Sequence, residues 1–258
     1  MFLLISKMIS DSDLVRFLDG FLKIDEIKDE SENGVQIDAP TEVEKIAFAV
    51  DVRKDIVKKA IGNEVDLLFV HHGLIWSGGL GPLTGKDYEI VRDLIQNNIG
   101  LYGAHLPLDV HPKVGNNVEL AKIIEAEIAE PFMEYHDTRI ARMAELEEEK
   151  KVENIARDLE EELDTETFIL KEEERVKNIG ILTGKGGQAL KAAKRNGADL
   201  FITGERAYKT YNEAIDLDMP LIFAGHYATE TLGVKKMMDL VESEFGFETC
   251  FLPGKTTI

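Results

Sequence analysis

Two adjacent histidines close the apolar run "LLFVHHG" (67–73), in a chain that has six histidines in 258 residues. In a regular strand, neighbouring side chains point to opposite faces, so His71 and His72 share a target only if the chain turns there. Further donors stand at similar places. His105 and Asp109 follow the apolar stretch "IGLYGA", Glu205 follows "DLFITG", and His226 and Glu230 lie four apart in "GHYATETLG". Imidazole and carboxylate together suit Zn, Mn or Fe. One catalytic ion usually takes two or three protein ligands and keeps a position open. This supply suits two divalent ions, roughly 3.5–4 Å apart, sharing a carboxylate from Asp109 or Glu230. Such a pair ionises a shared water near neutral pH, and the chemistry it points to is metal-assisted hydrolysis.

Other polar residues fall around this set. His105 and Glu205 are candidates for holding a ligand or moving a proton; Pro107 predicts a loop between His105 and Asp109. Glu230 near a helix start is also favourable to the helix dipole on its own account. His111, before Pro112, reads as a turn histidine, and His136 stands isolated in a polar stretch. "LTGKGG" (182–187) could present backbone N–H groups to an anion, or be a tight turn; it lacks the glycine spacing of a dinucleotide fingerprint. "PGKTT" (253–257) lacks the upstream glycine of a phosphate loop. Arg206, Tyr208 and Lys209 beside Glu205 could meet a phosphate or a base.

The elements that must position these residues alternate. "ISDSDLVRFLDGFL" opens with Ser10 and Asp13 as a helix-start signature. "KDESENG" reads as loop, "KIAFAV" and "VDLLFV" as buried strands around the helix "RKDIVKKAIGN", then "DYEIVRDLIQNN" as helix, "IGLYGA" as strand, "HLPLDVHPKVGNN" as loop and "VELAKIIEAEI" as helix. Alternation of this kind implies a largely parallel sheet covered by helices, with ligands gathering beyond the strands' carboxyl ends. Residues 142–163 are dense in glutamate, yet Val152, Ile155, Leu159 and Leu163 recur at helical spacing, which predicts a solvated amphipathic helix. The first pattern then returns: 45–73 compares with 177–206, and "IGLYGAHLPLD" (99–109) with "MPLIFAGHYATE" (219–230). We read an internal duplication, with a first α/β lobe over 1–130, an acidic helical connector over 131–175, and a second lobe over 176–258 whose last elements close the site.

Composition narrows the partners. Lys and Arg number 30 against 49 Asp and Glu, a net charge of −19, which opposes nucleic-acid binding outside a local basic patch. Cys250 is the single cysteine, so a disulfide framework and a thiolate cluster are excluded, and a reducing cytoplasmic setting is expected. The start "MFLLIS" is too short to span a membrane and carries no basic stretch, so no membrane association is expected.

At "NGVQI" (33–37), "LLFVHHG", "GAHLPLD", "GNN" (115–117), "ILTGKGG", "DLFITGE" and "AGHYATE", the chain resembles the Nif3-like dinuclear metal centre family, often labelled type 2 GTP cyclohydrolase I homologues. The resemblance covers nearly the whole chain. It implies a Nif3-like fold of two partly similar α/β lobes with two divalent ions between them, held by residues matching His71, His72, Asp109, His226 and Glu230. That set agrees with the choice made from chemistry. It also implies a homohexamer, a trimer of dimers, with sites facing an internal cavity. Gly73 stands where the family commonly has proline, and Arg206 and Tyr208 where many members have histidines; the large domain inserted in some bacterial members is absent. The implied activity is hydrolysis of a nucleotide, phosphoester or cyclic amide, the label pointing to opening of the GTP purine ring. The alternatives are a non-enzymatic metal-binding scaffold or regulator, and a ring-shaped nucleic-acid-binding protein.

Overall fold

The computed structural model describes residues 8–40, 42–254 and 256; part of "PGKTT" and all of "MFLLIS" lie outside them. The chain divides into two compact units. One runs to Leu108 and takes back Val234–Gly254; the other is Asp109–Gly233.

The first unit opens with α1 (Asp13–Leu22). Its cap is Ser12, whose side chain accepts the Val15 N–H, and not Ser10, which lies in a preceding 3-10 turn and bonds to Asp38. Then come β1 (Gly34–Ile37), β2 (Lys45–Asp51), α2 (Lys54–Gly62), β3 (Leu67–His72), α3 (Gly85–Gln96) and β4 (Gly100–Gly103). The interiors of β2, β3 and β4 are buried throughout, as in parallel strands covered on both faces. Where sequence predicted a loop there is one helical turn, α4 (Leu106–Asp109). Pro107 is tolerated there because the first N–H groups of a helix have no partner within it.

The second unit continues with α5 (Asn116–Ile123), β5 (Ala126–Tyr135), β6 (Thr138–Lys151), α6 (Val152–Leu163), β7 (Phe168–Leu170), β8 (Arg175–Leu182), α7 (Leu190–Arg195), β9 (Leu200–Thr203), α8 (Tyr208–Asp216) and β10 (Leu221–Phe223). The helix predicted over 142–163 is helical only from Val152; 142–151 completes the long strand β6. The "EAEI" end of the predicted 118–128 helix is strand as well, the chain turning at Glu125 with φ 59°. Helix α9 (His226–Phe245) gives its first two turns to this unit. One buried cluster, including Leu146, Ile155, Leu159, Ile179, Leu200 and Ile222, forms the core.

The two sheets repeat one plan. In the first, the order is β1-β4-β3-β2 and then β11 (Glu248–Phe251); β2, β3 and β4 run parallel, and β1 lies antiparallel on β4. In the second, the order is β5-β6-β8-β9-β10-β7; β8, β9 and β10 run parallel, and β7 lies antiparallel on β10. Thus α1-β1-β2-α2-β3-α3-β4 and α6-β7-β8-α7-β9-α8-β10 follow the same course. The units differ in what borders the first parallel strand: β11, parallel to β2, in one, and β6, antiparallel to β8, in the other. Among the described residues no helix is long and apolar enough to cross a membrane.

Candidate metal centre

In the first unit the ends of β3 and β4 bring three imidazoles together. The His71 and His72 rings are 4.6 Å apart, and that of His105 is 5.1 Å from the first and 5.7 Å from the second. Their ligand atoms lie within 4.8 Å of one another. The predicted convergence of the adjacent pair is therefore present, at the point where β3 stops.

Each ring is held by Nδ1. His71, fully buried, donates to the Ala104 carbonyl at 2.9 Å. His72 donates to Asp51 Oδ1 at 2.8 Å, across the ladder that pairs Asp51 with His72. His105 donates to the two Asp29 oxygens at 3.0 and 3.1 Å. An acceptor on Nδ1 places the lone pair of the neutral ring on Nε2, so all three present Nε2 as the donor atom.

Asp29 lies in "KDESENG", read from sequence as plain loop. Its carboxylate also accepts the Leu106 N–H at 2.8 Å and the Asn33 amide at 3.1 Å. Burial pushes its pKa up, but these bonds and the neighbouring His105 outweigh that and bring it down to about 2. Trp76 closes one side, its ring 5.0 Å from that of His105 and its indole N–H on the Gly73 carbonyl. A Cβ on Gly73 would displace the end of the Gln36 side chain. That glutamine, from "NGVQI", accepts the Leu74 and Ile75 N–H groups and so straps the loop behind the double histidine.

In the second unit His226 and Glu230 share one face of α9, His226 Nε2 lying 3.2 Å from Glu230 Oε2. His226 Nδ1 donates to Glu205 Oε2 at 3.0 Å, the same tethering seen for the other three rings. Burial disfavours the charged ring, yet Glu230 and Glu205 together hold its pKa up to about 9. A metal must therefore displace a proton from His226 at neutral pH. Gly184, at φ 58°, keeps space open beside this pair: a Cβ would run into the Glu230 carboxylate and approach His226 Nε2.

Asp109, buried in this unit, belongs to neither close donor group. Asn116 Nδ2 donates to its Oδ1 at 2.7 Å, and Asn116 Oδ1 accepts the Gly233 N–H of α9. Asn117 donates to the Asp109 carbonyl and accepts the Thr183 N–H. The "GNN" motif thus ties Asp109 to α9 and to the end of β8. His111 is a turn histidine, its Nδ1 accepting the Lys113 and Val114 N–H groups, and His136 sits at the β5–β6 turn with φ 48°. Arg206 lies over the Phe168 ring at 5.4 Å, and Tyr208 is exposed.

The donor sets fit borderline divalent ions such as Fe, Mn or Zn: anchored imidazoles in one group, imidazole and carboxylate in the other. Two candidate metal-binding groups are what a dinuclear centre needs. Sequence reasoning found the histidines and missed Asp29, Asp51 and Asn116. Asp51 had a signal, an acid closing the apolar strand "KIAFAVD" next to the one that ends in His72.

Residues 9–257 match the model of the Duf34/NIF3 (NGG1p interacting factor 3) family. A Pyrococcus horikoshii protein described as "GTP cyclohydrolase 1 type 2 homolog" is 45% identical over 249 residues, 95% of this chain and 98% of its own. One of the same description from Archaeoglobus fulgidus is 40% identical, over 96% and 99%. The crystal structure of TTHA1606 from Thermus thermophilus superposes with a TM-score of 0.84 at 33% identity, covering 95% of this chain and 98% of that one. Reduced HcgD from Methanocaldococcus jannaschii shares the fold at a TM-score of 0.82 and 24% identity, covering 95% and 98%.

Proposed function

The chain belongs to the Duf34/NIF3 family, and from that premise we propose that it is a metal-dependent hydrolase whose two divalent ions are held by His71, His72, Asp109, His226 and Glu230. One observation carries the reading. Four imidazoles each have Nδ1 tied to an oxygen acceptor, the arrangement that orients a histidine as a metal ligand and raises its basicity. When bound, the ions supply Lewis acidity and an ionised water.

The chain's own residues do the rest. His105, oriented by Asp29, accepts a proton at Nε2 from the attacking water and returns it to the leaving group. Glu205 acts through His226, fixing its ring, and is a positioning residue. Trp76 walls the histidines of the first unit. The name of the curated relatives supports hydrolytic opening of a ring, and the same chemistry serves a phosphoester. We propose further a homohexamer, as a trimer of dimers, and a cytoplasmic setting, which the single Cys250 fits.

The test is metal analysis after anaerobic purification, followed by a hydrolysis screen with the metal found. His71→Ala and His226→Ala should each lower metal content and turnover with the circular dichroism unchanged. Unchanged metal stoichiometry in both variants would remove the site. Normal metal content with no turnover across nucleotides, phosphoesters and cyclic amides would favour the scaffold reading.

A further inference from the structure

A cavity of about 190 Å³ opens in the second unit between the glycine-rich loop after β8 and the start of α8. Lys185 and Gln188 line it from the loop, Lys209 and Thr210 from the helix, and Glu205 and Glu213 complete the wall. Two lysines and two glutamates line it, and each glutamate has a partner outside the lining. Glu213 is paired with Lys191 at 3.0 Å, and Glu205 with His226 at 3.0 Å. Lys185 and Lys209 form no ion pair with any described residue. Both lysines are exposed, and both line this one small cavity.

The loop is held in place behind them. The Gly186 N–H donates to Thr203 Oγ1 at 3.1 Å. Gly187 must lack a side chain, because a Cβ would collide with the Thr210 hydroxyl. Glu205 is the link to the donor groups, since it both lines the cavity and holds His226.

From this we infer that the cavity is an anion subsite that takes a phosphoryl group of the substrate. The size decides against a whole nucleotide, since pockets for drug-sized ligands run from about 300 Å³ upward. With the two glutamates engaged by Lys191 and His226, the lysines are the groups left for an anion, and a phosphoryl group, with up to about two negative charges near neutral pH, suits them. The inference deepens the hydrolase reading and rests on it for the word substrate: the compound hydrolysed is phosphorylated, and its phosphoryl group sits beside the residue that holds His226. Free inorganic phosphate presents the same chemistry, so the two are tested separately.

The probe for binding is inorganic phosphate, titrated against the full chain as purified and followed by phosphorus NMR. Saturable binding is expected. Lys185→Ala with Lys209→Ala should weaken it about ten-fold or more, the loss of charge-assisted bonds, with metal content and circular dichroism unchanged. Lys185→Arg and Lys209→Arg should each stay within about three-fold of wild type, since the charge is kept. His71→Ala, with less metal, should still bind phosphate. In the second arm, phosphorylated compounds from the screen are compared with their dephosphorylated forms, and the double alanine variant should raise KM for the phosphorylated ones alone. Phosphate binding with an unmoved KM would assign the cavity to free phosphate and overturn the substrate assignment. No saturable binding, binding indifferent to both lysines, or binding lost only in His71→Ala would overturn the subsite. Lysine-dependent binding without any turnover would instead sink the hydrolase reading and leave the anion site standing.

Discussion

Asn116 is fully buried and uses both ends of its amide, donating to Asp109 and accepting from Gly233, each at 2.7 Å. Asn116→Asp keeps the size and the bond from Gly233 but replaces the donor with a second carboxylate against Asp109. We expect metal affinity to fall about 10–100-fold, read by competition with a chromophoric chelator, with the circular dichroism retained. At this scale the histidines were legible because they are few and end apolar runs. Asp29 was not, because an acid among 49 carries no signal until the fold places it beside an imidazole, and Asp51 was marked only by closing an apolar strand. Asn116 stood in a quoted motif, but nothing in "GNN" says which carboxylate it meets.

At the scale of elements, strands and helices that alternate in sequence alternate in space, and the duplication read from two stretches extends to the flanking α1-β1 and α6-β7. Short antiparallel strands such as β7, three residues long, escaped because they are too brief to show a period. The acidic stretch misled for another reason. Its glutamates made the whole of 142–163 look like one solvated face, whereas 142–151 places Ala144 and Leu146 inward in alternation from β6. The loop after β8 yields a prediction of its own. Gly184→Ala meets both a left-handed backbone, φ 58°, and the Glu230 carboxylate. It should cost about 1–3 kcal/mol in a denaturant titration, and metal analysis should show lowered occupancy.

For the whole molecule, Tyr102 is one group through which alkali should lower stability. Burial first, then the Asp19 carboxylate it bonds at 2.8 Å, push its pKa well above 10. An unfolded tyrosine ionises near 10, so the folded-state value is raised above the unfolded one. The contribution is therefore full below about pH 10 and is lost as pH rises through the folded value, by up to about 1.4 kcal/mol per pH unit. Urea midpoints at about pH 9 and about pH 11 should fall steeply for the wild type, and Tyr102→Phe should flatten the fall after an initial loss of about 1 kcal/mol from the missing bond.

The pairing of β11 with β2 sets an order on biosynthesis. A ribosome delivers β2 early and its neighbour only some two hundred codons later, after the entire Asp109–Gly233 unit has emerged. Throughout that interval the nascent chain carries an unprotected strand border, Ile46 to Phe48, apolar and ready to recruit a foreign strand. Until β11 is made, that border of the sheet therefore stands open to a chaperone or to a foreign strand.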